Sequence, residues 1–231
     1  MIYLLHGTDT YSLRAYLDEL RAAVGMPDVQ DANITSLNTQ DANPASILGL
    51  CQAMPFLAER RMVIVDGLIA SLAGEGKGSR GKVTSETLAG WYDFFPSLPD
   101  NMPPTSDLVF MEGQLQANNP VLKNVKAVAE VKEFGKMTAN DLRGWVQKRV
   151  MDRNGSITTN AVQLLVDMIG TDLWALASEV EKLLLYATGR TIEIEDVEEM
   201  VAFVKEAVSY THLRAHEPLR YLECRLLLEK K

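Results

Sequence analysis

The sequence predicts two folded parts in series, an α/β domain over residues 1–137 and an all-α domain over 138–207. Three observations carry this. Up to about Phe134, short apolar runs of strand length alternate with stretches of helical period, the pattern of a parallel sheet with crossover helices. Beyond Met137 no strand signal remains, and helical stretches follow, separated by Asn154-Gly155 and Gly170. With 231 residues, 47% hydrophobic and 23% charged, the chain can bury the cores of two small domains.

Each element has its own signal. Met1 to His6 is a short apolar run entering a Gly-Thr-Asp turn and reads as a buried strand. Leu13, Tyr16, Leu17, Leu20 and Val24 give Tyr11 to Val24 a helical spacing. Ile34 to Leu37 is a second short strand. Pro44 to Met54 is a helix opened by Asn43 or Pro44. Met62 to Val65 is a strand, and the glycine- and lysine-rich stretch 73–82 a loop. Ser85 to Phe95 forms a helix with Leu88, Trp91, Tyr92 and Phe95 inward. Leu98 to Ser106, with three prolines, reads as a loop. Asp107 to Met111 and Ala129 to Phe134 are strands around a helix at Val121 to Ala127. In the second part, Thr138 to Arg153, Thr158 to Ile169 and Asp172 to Ala187 are helices, and Glu195 to Phe203 begins a fourth. In the third of these, Leu173, Leu176, Val180, Leu183 and Leu184 make an apolar face, with Glu179, Glu181 and Lys182 toward water.

Composition narrows the function. The net charge is −8, against direct gripping of duplex DNA along a basic surface. No apolar run reaches the ~18 residues of a membrane span. The start, MIYLLHGTD, lacks the basic n-region of a signal peptide, so the expected compartment is the cytoplasm. Two cysteines make no disulfide framework. Cys51 reads as a packed core residue and His6 as structural rather than a base.

The turn after the first strand invites a phosphate-loop reading, and the residues refuse it. A working loop needs a second glycine for close backbone approach, then Lys and Ser/Thr for phosphates and magnesium. Gly7-Thr8-Asp9-Thr10-Tyr11-Ser12 supplies none of these in place, and Asp9 adds negative charge where a phosphate would sit. GEGKGS at 74–79 has the composition in the wrong order and no strand directly before it. Val63-Ile64-Val65-Asp66-Gly67 resembles a magnesium-binding strand, but Gly67 stands where a water-activating carboxylate belongs, so it reads as a strand end turning at Asp-Gly. No cofactor, metal or catalytic set is expected.

The most informative stretch is CQAMPFLAERRMVIVDG, residues 51–67. Pro55 cannot continue the helix before it and biases Met54 away from helical geometry. Phe56 and Leu57 therefore fall at a break between elements, where two large apolar groups plug either the core or another protein.

From Val208 the character changes abruptly. VSYTHLRAHEPLRYLECRLLLEKK is basic, with five Lys/Arg against three Asp/Glu. It closely resembles a translated transposon-type sequencing adapter, so residues 208–231 are expected to be non-native, with the gene product cut near Ala207. His212, His216 and Cys224 within it lack the further ligands of a zinc site.

Taken together, residues 1 to about 207 resemble the delta-subunit family of the bacterial DNA polymerase III clamp loader. YLLHGTDTYSLRAYLDEL resembles its opening strand, turn and helix, and CQAMPFLAERRMVIVDG its clamp-contact segment and following strand. LPDNMPPTSDLVFMEG resembles a later loop and strand, and GTDLWALASEVEKLLLYATG its lid-domain signature. The resemblance implies an AAA+-like (RecA-like) domain that has lost ATP binding, then a small helical lid. It implies a replication role without catalysis of its own, inside a DNA-directed DNA polymerase (nucleotidyltransferase) holoenzyme. The implied partners are the sliding clamp (beta subunit) and loader subunits of the gamma/tau and delta-prime type, with DNA contacted mainly indirectly. Clamp contact carries over to Gln52, Met54, Phe56 and Leu57. The family commonly has a small or polar residue at the place of Pro55, and its apolar pair can run Leu-Phe. A helical collar domain is expected after Ala207, where the foreign tail stands. The alternatives are an ATP-binding clamp-loader or helicase-loader relative, and a clamp-binding adaptor that does not open the ring.

Overall fold

The computed structural model describes residues 1–74 and 85–201. Most of the 73–82 stretch, the end of the predicted fourth helix at 202–203 and the tail 208–231 lie outside the described residues. The chain divides into two compact units, Met1–Lys136 and Met137–Lys231.

The first unit is built from β1 (Ile2–Gly7), α1 (Thr10–Ala22), α2 (Pro27–Asn33), β2 (Ile34–Asn38), α3 (Pro44–Gln52), β3 (Arg61–Asp66), α4 (Leu68–Leu72), α5 (Ser85–Asn101), β4 (Ser106–Glu112), α6 (Leu122–Val128) and β5 (Glu130–Phe134). The strands form one sheet in the order β2-β3-β4-β1-β5, and every pairing is parallel. Parallel strands need crossover connections, which the intervening helices supply. Side chains alternate across the sheet. Leu4, Val63, Val65, Leu108 and Phe110 face a core shared with α3, α4, α5 and α6. Leu5, Met62, Ile64 and Val109 face the other way, against Leu13 and Leu17 of α1. Buried on both faces, β3 and β4 read as continuous apolar runs rather than alternating ones.

Two elements escape the sequence reading, and one runs further than predicted. The helix α2 is a single short segment with Pro27 at its first turn, and α4 has only five residues. Both are too short for periodicity to register. The expected loop at Leu98 to Ser106 begins later, because α5 continues to Asn101 through Pro96 and Pro99. Both prolines are exposed, while Trp91, Phe94, Phe95 and Leu98 are buried. Phe95 packs edge-on against Phe110 of β4 at 5.7 Å between ring centroids. Burial of this aromatic run outweighs the proline penalty, as tertiary packing does for local propensity generally.

The second unit contains α7 (Ala139–Asp152), α8 (Thr159–Ile169), α9 (Leu173–Tyr186) and a further helix from residue 194 to 201, the last described. Each named helix opens on a side-chain cap, Thr138 with Asp141 in a capping box, then Thr158, then Asp172. Gly155 and Gly170 mark the breaks. A Cβ on Gly155 would stand 2.3 Å from Leu184 Cδ2, so any other residue in the α7–α8 turn requires the Leu184 side chain of α9 to shift. A parallel bridge joins Ile157 and Ile192, a strand-like contact that the sequence does not signal. Glu179 was expected to face water but is buried, paired with Lys182 one turn on.

Candidate functional site

The helix α3 starts on a capping box between Asn43 and Ser46, with Pro44 in its first turn. It buries Ile47 and Cys51 against the sheet. Burial pushes the Cys51 thiol up to about 11, which keeps it a protonated core group. The helix stops at Ala53, whose backbone is already extended, one residue before Met54, the residue that Pro55 biases away from helical geometry.

The chain that follows is held at three places. At its start, Ser106 Oγ donates to the Cys51 carbonyl, and Gln52 Nε2 reaches the Asn101 carbonyl at 3.3 Å. In its middle, the Asn33 side-chain amide takes both backbone groups of Phe56: the Phe56 N–H donates to Oδ1 at 2.6 Å, and Nδ2 donates to the Phe56 carbonyl at 2.7 Å. At its end, Arg60 makes a bidentate pair with Asp107, both contacts 2.6 Å. Between these fixings the apolar side chains stand out. Met54 is 87% exposed, Phe56 60% and Leu57 80%. Leu57 has φ +52, the left-handed region that costs a Leu about 1–2 kcal/mol. At these exposures the three side chains do not plug the core. Of the predicted set, Met54, Phe56 and Leu57 are exposed on one short loop, and Gln52, also exposed, donates to the carbonyl of Asn101 at the end of α5. The loop leads into the amino end of β3, so this surface lies at the amino ends of the parallel strands.

Asp107 ties the same end together, accepting from Arg60 and contacting the Met1 ammonium at 3.0 Å. Burial alone would raise its carboxyl, but the Arg60 hydrogen bonds and the ammonium outweigh it and hold the group below the usual range. A depressed carboxyl contributes stability above its unfolded value of about 3.9 and loses it as pH falls through the folded value. Arg60→Met is therefore expected to cost about 2–3 kcal/mol near neutral pH. That cost should shrink as pH drops below about 4, in urea melts carried down to about pH 2.

At the carboxyl ends of the strands lies the loop after β1, where open parallel sheets commonly take a phosphate on a helix N-terminus. Here that N-terminus is already occupied. Asp9 caps α1, its carboxylate accepting from the Ser12 N–H at 3.0 Å. The conformation of Gly7 serves β5: a Cβ there would stand 2.0 Å from the Phe134 carbonyl oxygen. His6 is buried beside this turn, and burial lowers its pKa against the opposing pull of Glu133. Asp66 ends β3 and Gly67 turns in the left-handed region to open α4, as the Asp-Gly reading expects. The α4 amides of Ile69 and Ala70 donate to the buried Glu112 carboxylate. Among the described residues, no group of three or more His, Cys, Asp or Glu is placed to hold a metal. No described helix is long and apolar enough to cross a membrane.

Sequence reasoning missed Asn33. An Asn closing a short helix next to a strand reads as an ordinary terminus, and its partner lies 23 residues away. Pro27 at the first helical position was the one local signal for the helix that carries it.

A solved structure of the Bacillus subtilis DNA clamp loader delta protein superposes with a TM-score of 0.63 at 20% identity, covering all of this chain and 68% of that one. The Thermotoga maritima RuvB Holliday junction branch migration motor superposes with a TM-score of 0.51 at 11% identity, over 87% of this chain and 61% of that one. These likenesses establish an AAA+-like fold for this chain. In sequence, the DNA polymerase III subunit delta of Bacillus subtilis strain 168 is 24% identical over 204 residues, 87% of this chain. The chain spans 56% of that relative's length. The family model described as DNA polymerase III, delta subunit matches residues 3–134, and the chain belongs to that family.

Proposed function

We propose that this chain is a non-catalytic clamp-loader subunit that binds a bacterial sliding clamp through Phe56 and Leu57, with Met54 and Gln52 beside them, and favours the opened ring. The observation that carries the reading is the pair of exposed apolar side chains on a loop whose backbone is pinned on either side. Aromatic and aliphatic anchors of this kind dominate interface energetics when they fill a pocket. A subunit that binds the opened ring more tightly than the closed one shifts that equilibrium by the difference in affinity, with no nucleotide of its own. Its other partners would be the gamma/tau-type and delta-prime-type loader subunits.

The occupied N-terminus of α1 supports a subunit without nucleotide binding over the ATPase alternative. Titration with magnesium-ATP is expected to give no binding isotherm up to about 1 mM, and saturation below that concentration would favour the ATPase. A clamp-unloading assay on circular DNA separates ring opening from simple adaptor binding. Release of the clamp by the chain supports opening; binding without release supports the adaptor.

A further inference from the structure

We infer that Asn33 is a positioning residue for this loop: its amide sets the conformation in which Phe56 and Leu57 are presented. Asn33 is fully buried, and its side chain makes three hydrogen bonds, to both backbone groups of Phe56 and from Nδ2 to the Val29 carbonyl at 2.8 Å. The amide pairs with Phe56 as a neighbouring strand would, offering one acceptor and one donor to a single residue. Phe56 thus has its backbone satisfied from below while its ring remains in solvent.

The rest of the neighbourhood works in the same direction. The ring of Pro55 fixes the preceding φ. Behind the loop, a Cβ on Gly25 would come within 3.4 Å of Ala58 Cβ and 3.2 Å of Val29 Cγ2, so the segment entering α2 lies close against the residue after Leu57. Left-handed backbone at a Leu persists only where the surroundings over-determine it, and the two Asn33 hydrogen bonds to the residue just before supply such a restraint. Only an amide of this length meets the need. Asp keeps the shape but turns a donor into an acceptor facing two carbonyl oxygens, and Ala removes both partners. Without the clamp the loop samples other conformations, and apparent affinity falls by the fraction of time spent in the competent one.

The effect on affinity rests on the proposed clamp contact, while the effect on the loop does not. The experiment uses the full 231-residue chain as wild type, Asn33→Asp, Asn33→Ala and Phe56→Ala/Leu57→Ala. Amide hydrogen exchange is read over residues 54–58 and over β3, and affinity is measured for a panel of purified bacterial sliding clamps. Expected in the Asn33 variants is exchange raised about tenfold or more at Phe56 with β3 unchanged. Clamp affinity should fall by a similar factor, about tenfold. A merely structural role would instead raise exchange across the sheet and leave the folded fraction binding normally. Unchanged exchange at Phe56 in both variants overturns the inference. So does wild-type affinity in the Asn33 variants when Phe56→Ala/Leu57→Ala has lost it, or failure of both Asn33 variants to fold. If wild type and Phe56→Ala/Leu57→Ala bind the clamp alike, the clamp reading falls instead, and the exchange result alone decides whether Asn33 sets the loop.

Discussion

Replacing Phe56 and Leu57 together by alanine is expected to weaken binding to a sliding clamp by roughly two orders of magnitude while moving the melting temperature by no more than about 2 °C. Fully burying a Phe or Leu side chain contributes about 1.5–3 kcal/mol. Phe56 is already partly covered in the free chain and Leu57 only slightly, so the pair has about 3 kcal/mol left to gain in a pocket. At 1.4 kcal/mol per tenfold, that is about a hundredfold. The free chain is nearly indifferent to the change, because exposed positions away from caps and networks shift stability by only about 0.5 kcal/mol. Alanine also keeps a Cβ at position 57, so the left-handed strain is the same in both proteins and cancels. Loss of affinity with preserved melting separates a contact surface from a core plug. Equal affinity in the two proteins, measured by calorimetry or surface resonance, would remove these residues from the contact.

The apolar pair was legible because its signal is local. Pro55 bars helix from Met54 onward, so Phe56 and Leu57 fall at a break between elements. The sheet was legible for a similar reason: Val63 to Val65 and Leu108 to Phe110 are buried on both faces, and continuous apolar runs leave few alternatives. What escaped depends on contacts distant in sequence. Asn33 and Phe56 meet across 23 residues, and Arg60 and Asp107 across 47. Nothing in the spacing of either pair marks it. The passage of α5 through Pro96 and Pro99 reverses a strong local rule, because Phe95 and Leu98 already have places in the core and the helix must continue to keep them there. Glu179 escaped for the same reason. Its position on a helical wheel suggests solvent, yet it is buried with Lys182 beside it.

Gly7→Ala should be among the most destabilising single substitutions in the first unit, at about 3–5 kcal/mol. The glycine invites a phosphate-loop explanation, in which it would be needed for a ligand. The structure gives it another duty. Its φ of +145 lies where side chains are rarely accepted. The added Cβ would meet the backbone of Phe134 at 2.0 Å from the oxygen and 2.5 Å from the carbonyl carbon. No rotamer change relieves a clash with backbone, so β1 and β5 must separate at this end. Gly7 lies opposite Phe134 in that pairing, and the Asp9 N–H that caps the turn donates to the same Phe134 carbonyl. Loss of the contact would loosen the entry to α1 as well. A cost of this size lowers the melting temperature of a unit this large by about 10–20 °C. The two explanations diverge in what a ligand does. A phosphate-loop glycine would leave the unliganded protein's melting nearly unchanged and abolish nucleotide-dependent stabilisation. A packing glycine gives the full drop with no nucleotide present, in a thermal melt of the first unit's transition, and magnesium-ATP shifts neither protein.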